Sequence, residues 1–107
     1  MTSGVPTGWA DLIEETSEKI FQTDPDYKLE LLKEKFGTLR WHGRSSYGHG
    51  TPVAMIVGRL ERSAEERSAF TCMECGMPGL LGVHDNLWSV FCPRHTPAGF
   101  VLADGDD

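Results

Sequence analysis

The chain has 107 residues, 39% of them apolar and 24% charged, and a formal net charge of −6. No run approaches the ~20 consecutive apolar residues of a membrane helix, and the totals exclude fibrous, membrane-spanning and strongly basic classes. They fit one compact unit, and residues 1–107 are expected to form a single domain. The charge is unevenly placed: three bases stand against eight acids over residues 1–34, seven against five over 35–103, and three aspartates close the chain. Such a balance repels phosphate backbones at long range and favours a protein partner over nonspecific nucleic-acid binding. The first residues, MTSGVPTGW, carry neither the positive start nor the apolar run of a secretory signal, so the expected location is the cytoplasm.

From Trp9, the residues Leu12, Ile13, Thr16, Ile20 and Phe21 recur at three- and four-residue spacing, with Glu14, Glu15, Glu18 and Lys19 on the other face. This predicts an amphipathic helix over roughly 9–22, with Thr7 or Gly8 as N-cap and a stop at 23–26. Asp11, Glu14, Glu15 and Glu18 form a negative stripe along it, a candidate surface for a basic partner. Alternation of Tyr27, Leu29 and Leu31 with polar residues, and of Leu39 with Trp41 beyond Gly37, predicts two strands with a turn inside 33–38. A helix over 28–36 competes, because good helix formers fill that stretch.

Residues 42–52, HGRSSYGHGTP, have no apolar period and are expected to form a mobile loop. Thr51 then caps a second helix with Pro52 at its first position, and this helix is expected to run to about residue 68. Its inner face is Val53, Ile56, Val57, Leu60 and Ala64, and its outer face is Arg59, Glu61, Arg62, Glu65 and Glu66. Beyond the metal segment, Phe100, Val101 and Leu102 suit a short strand or a core contact, and the acidic tail 104–107 is expected to be disordered. Together these elements predict an α+β fold: helix, β-hairpin, helix, then a zinc-stapled β-hairpin lobe over 70–97.

Cys72 and Cys75 form a CxxC pair, and Cys92 with His95 a CxxH pair sixteen residues later. Two thiolates on one tight turn reach a single ion, and Gly76 permits the positive backbone torsion such knuckles use. The segments 80–84 and 87–91 flank Asp85 and Asn86, a hairpin turn that returns the chain to its origin. The two half-sites then meet as four N and S ligands with no open position, the signature of one structural Zn(2+). An odd number of cysteines argues against a disulfide framework. His84 is an alternative to His95, disfavoured by its place at the far tip. A redox CxxC is a second alternative, disfavoured because the preceding element is a helix rather than a strand.

With Gly8 and Trp9, the run KEKFGTLR at 33–40 followed by Trp41, Ser68, and then Cys72, Cys75, Gly76, Pro78, Gly79, Trp88, Cys92 and His95, the chain resembles a family of small uncharacterised zinc-binding proteins encoded by bacteriophages and bacterial chromosomes. The glycine-rich stretch 42–51 departs from that family by its length. The resemblance implies a zinc-binding fold and a mobile-element setting in a bacterial host, and no particular activity.

No nucleophile motif, phosphate-binding glycine signature or paired acidic motif is present, so enzymatic activity is not expected. The expected function is a non-enzymatic protein-binding module: an inhibitor of a bacterial defence system, such as an anti-CRISPR, or of a host enzyme. Lys35, Arg40 and Arg44 are the candidate basic contacts, offering cations to carboxylate or phosphate. The bland reading of KEKFGTLRWHGR puts Phe36, Leu39 and Trp41 in the core with the bases merely solvated. The alternative function is a nucleic-acid-binding regulator using the finger and a patch of Lys35, Arg40, Arg44 and Arg59.

Overall fold

A computed structural model describes residues 4–103; the acidic tail 104–107 lies outside the described residues. In chain order the elements are a 3-10 turn Thr7–Trp9, α1 Ala10–Thr23, β1 Lys28–Lys35, β2 Thr38–Arg44, α2 Pro52–Ser68, β3 Leu80–His84, β4 Leu87–Phe91 and β5 Val101–Leu102. β1 and β2 form an antiparallel hairpin, and the second sheet has the order β4-β3-β5, also antiparallel. The fold is α+β.

Apolar spacing explains the core. Trp9, Leu12, Ile13 and Ile20 from the first helical segment meet Val57 and Ala64 of α2 and Tyr27, Leu32, Leu39 and Trp41 of the first hairpin. The N-cap of α1 differs from expectation. Thr7 and Gly8 enter the 3-10 turn, Trp9 occupies the cap position without a side-chain cap, and its N–H donates to the Pro6 carbonyl at 3.1 Å. The helix over 28–36 does not form, because as a strand that stretch buries Leu32 against the helices.

Thr51 caps α2 as expected, accepting from the Ala54 N–H at 3.2 Å. Ile56, expected inward, is exposed, whereas Glu61 and Glu65, expected outward, are half-buried and bonded. The Glu61 carboxylate accepts from the Tyr27 hydroxyl at 2.5 Å, and that hydroxyl accepts from Trp41 Nε1 at 2.8 Å. Burial, and then the bond to Glu61, push the Tyr27 pKa well above the usual phenol range.

α2 also closes the outer edge of β2. The Leu39 N–H donates to Ser68 Oγ at 2.8 Å and the Trp41 N–H to Glu65 at 2.9 Å, while the Glu34 N–H on the β1 edge donates to the Gly4 carbonyl at 2.9 Å. Ser68 is fully buried. Replacing Ser68 with alanine strands the Leu39 amide, so Ser68→Ala is expected to lower unfolding free energy by about 2 kcal/mol in a denaturant titration. Ser68→Thr, which keeps the acceptor, tests whether the loss comes from the hydrogen bond.

The loop after β2 is shorter and better fixed than expected. β2 runs to Arg44, and the buried Asp24 carboxylate takes Ser45 Oγ and the Ser46 N–H, both at 2.8 Å, together with the Ser46 hydroxyl. Desolvation opposes ionisation of Asp24, but these donors outweigh it and hold its pKa below the usual carboxylate value.

Candidate metal centre

The CxxC knuckle lies between Thr71 and Pro78, which form an isolated bridge. The Cys72 N–H donates to the Met77 carbonyl at 2.7 Å and the Gly76 N–H to the Cys72 carbonyl at 2.9 Å. Gly76 has φ 83°, and a Cβ there would stand 2.8 Å from the Gly8 carbonyl oxygen, so the glycine serves both the turn and a close approach. The reciprocal restriction falls on Gly8, whose N–H donates to the Met73 carbonyl at 2.8 Å and whose added Cβ would lie 2.6 Å from that oxygen.

The second half-site leaves β4. The Asp85–Asn86 turn has φ 52° and 65°, as a tight two-residue hairpin requires, and β3 pairs with β4 from His84↔Leu87 to Leu80↔Phe91. The Met73 N–H donates to the Val90 carbonyl at 2.9 Å, tying the knuckle to the hairpin two residues before Cys92. The His95 N–H then closes a turn onto the Cys92 carbonyl at 3.0 Å. β5 completes the sheet against β3, and Phe100 meets Phe91 edge-to-face at 5.5 Å.

These turns bring Cys72, Cys75, Cys92 and His95 together, with all four ligand atoms within 4.8 Å of one another. Cys75 Sγ and Cys92 Sγ are 3.7 Å apart, and His95 Nδ1 lies 3.2 Å from Cys92 Sγ and 3.9 Å from Cys72 Sγ. The imidazole therefore offers Nδ1. Cys72 and Cys92 are buried, Cys75 and His95 exposed. The Glu74 N–H points at Cys72 Sγ from 3.4 Å, the amide-to-sulfur contact that supports thiolate charge.

The electrostatics suit a cation. Desolvation opposes ionisation of Cys92, but His95, Cys75 and the Arg94 amide outweigh it and bring the thiol down to about 6. At Cys75 the Met77 amide favours the thiolate, yet desolvation and the adjoining thiols leave the pKa raised. The cluster can hold a metal ion. His84 is at the opposite end of the hairpin, 3.7 Å from the Asp85 carboxylate, and takes no part.

Of the candidate partner contacts, Lys35, Arg40 and Arg44 share the solvent face of the first hairpin, together with Lys33 and His42. Arg59 lies on α2 instead and meets Arg44 across a separate cleft, so the four-base patch is divided. Asp11, Glu14, Glu15 and Glu18 are all exposed on α1. Glu15 is shared by Lys19 at 3.2 Å and Arg67 at 3.3 Å, and Arg67 followed by Lys19 lowers its pKa, so the stripe is partly neutralised.

Sequence reasoning missed two residues. Phe36, placed in the core by the bland reading, is 61% exposed at φ 56°, with Lys35 Nζ 5.7 Å from its ring centroid. Trp88, in the sequence a mark of the resemblance, is 41% exposed on β4. The signal for Phe36 was the following Gly37, which at φ 82° completes a two-residue turn that displaces the preceding side chain from the sheet face. No protein-family model, curated protein or solved structure matches the chain. Among the described residues no helix is long and apolar enough to cross a membrane.

Proposed function

We propose that the chain is a zinc-stabilised, non-enzymatic recognition module that binds an acidic protein surface through the solvent face of its first hairpin. The ion is read as Zn(2+) from the donor set and spacing. Sulfurs ~2.3 Å from a tetrahedral zinc stand about 3.8 Å apart, close to the 3.7 Å between Cys75 and Cys92. Four protein donors leave no open position for a substrate, which makes the metal a scaffold. Thiolate ligation suits a reducing compartment such as a bacterial cytoplasm.

The observation that carries the recognition role is Lys33 placed directly opposite Arg40 in the register. Like charges facing each other across a strand pair destabilise it, and neither residue, nor Lys35, forms an ion pair among the described residues. At the same end of the hairpin, bulky Phe36 is held in a left-handed conformation that seldom suits it. A surface that spends stability on unpaired cations beside an exposed aromatic suits a complementary anionic partner. On the β2 edge α2 already binds the Leu39 and Trp41 amides, and on the β1 edge the Glu34 amide is bonded to Gly4, so contact through side chains is favoured over strand addition.

The mobile-element setting that the resemblance implies motivates the narrower proposal that the partner is a component of a bacterial defence system or a host enzyme, inhibited by occlusion. The charge reversal Lys33→Glu tests the reading through two opposite signs. It places an acid opposite Arg40, so thermal stability should rise by the equivalent of roughly 0.5 kcal/mol, while a stoichiometric partner recovered with the unaltered protein is lost. The nucleic-acid alternative replaces this reading if duplex or single-stranded DNA binds with a steep salt dependence, which phosphate contacts require.

A further inference from the structure

The ordered loop after β2 and the first turns of α2 enclose a cleft of about 700 Å³ on a different surface from the metal centre. That volume lies within the range of small-molecule sites. Its walls carry Arg44, Arg59, Arg62 and His49, with Tyr47 and Met55 supplying apolar surface. Arg59 and Arg62 are three residues apart on one helical face, and neither makes an ion pair among the described residues. Arg44 pairs with Glu30 at 3.1 Å, which leaves part of its guanidinium fork available.

One carboxylate, Glu61, lines the cleft, and it is already engaged by the Tyr27 hydroxyl. Gly58 stands mid-helix on the same wall, a position where glycine is unfavourable by about 1 kcal/mol and where an added Cβ would meet only the Arg62 side chain, at 3.5 Å. It leaves the helix surface open between the two arginines. On the opposite wall the N–H groups of Gly48, His49 and Gly50 have no acceptor among the described residues, and Gly50 has φ 83°. Consecutive free amides in a glycine loop bind anionic oxygens, and guanidinium groups bind phosphate in a bidentate manner. The buried Asp24 carboxylate fixes Ser45 and Ser46 at the start of this loop, and Thr51 binds the Gly48 carbonyl through both its N–H and its hydroxyl at the other end.

We infer that this cleft binds a phosphorylated small molecule of nucleotide size, its phosphates between Arg59, Arg62 and the loop amides and its flat apolar group against Tyr47 and Met55. Tyr47 and Met55 are about half exposed, as such a contact requires. The site shares only Arg44 with the hairpin face proposed above, because Lys33, Lys35 and Arg40 do not line it.

Isothermal titration of the metal-loaded full chain tests this with adenosine 5′-diphosphate, inorganic pyrophosphate and adenosine. The diphosphate should saturate one site, pyrophosphate should bind more weakly, and adenosine more weakly still. The double variant Arg59→Ala/Arg62→Ala alters two exposed side chains and should weaken the nucleotide by at least about tenfold with an unchanged circular dichroism spectrum. Lys33→Glu should leave the affinity unaltered. No saturable heat with either phosphate compound, equal affinity for adenosine and its diphosphate, or full binding by the double variant would overturn the inference. A loss caused by Lys33→Glu would move the site to the hairpin face and overturn it equally.

Discussion

Removal of the metal with a strong chelator, or the substitution Cys72→Ser, is expected to unfold β3, β4 and the knuckle and to leave the remaining chain at best marginally stable. The reason lies in what the lobe lacks. Within 70–97 only Cys72, Val90 and Cys92 are buried among the apolar residues, whereas Met77, Leu80, Leu87 and Trp88 are exposed. A hairpin with so little enclosed surface does not hold in water without a further constraint. Structural zinc sites contribute on the order of 10 kcal/mol in small peptides, comparable with the whole stability of a small domain. Backbone amides of 80–91 should therefore lose hydrogen-exchange protection on chelation and regain it when zinc is restored. Protection that persists in the chelated protein would show that the sheet folds without its ion.

The legibility of this chain in its sequence varies with how local the determining interaction is. The second hairpin was readable to the residue, because Asp85 and Asn86 tolerate the positive torsions its turn needs and the ligand spacing fixes its length. The Thr51 cap with Pro52 was equally local. Less was legible wherever a partner distant in sequence decides the outcome. Glu61 and Glu65 look like solvent-facing helix residues until Tyr27 and the Trp41 amide arrive beside them. The loop after β2 looks mobile until Asp24, more than twenty residues earlier, binds its serines. Phe36 shows the same limit in reverse, since an apolar residue in an alternating stretch reads as core unless the turn consumes its place on the sheet face. The basic patch was identified by composition, and only the strand register could divide it between a hairpin face and a cleft.

Trp9→Ala is expected to be the most damaging change outside the four ligands, and to act on the metal as well as on the core. Trp9 is fully buried at the junction of the 3-10 turn and α1, in the cluster formed by both helices and the first hairpin. Truncating a buried tryptophan to alanine costs about 3–5 kcal/mol, a large part of the margin available to a chain of this size. Its Nε1 also donates to the Thr71 carbonyl at 3.0 Å, while the Gly8 amide beside it holds the Met73 carbonyl, so this turn grips the knuckle on both sides of Cys72. Metal affinity in such sites includes the free energy of ordering the ligands, and loosening that grip should weaken metal binding without touching a donor atom. Trp9→Phe separates the two effects: it keeps most of the buried surface and loses the hydrogen bond, so stability should fall by about 1 kcal/mol. Competition titrations following cobalt absorbance, alongside thermal unfolding, should rank metal affinity as unaltered protein, then Trp9→Phe, then Trp9→Ala. Equal affinity in all three would mean that the knuckle is preorganised by β4 alone, through the Met73 amide and the Val90 carbonyl.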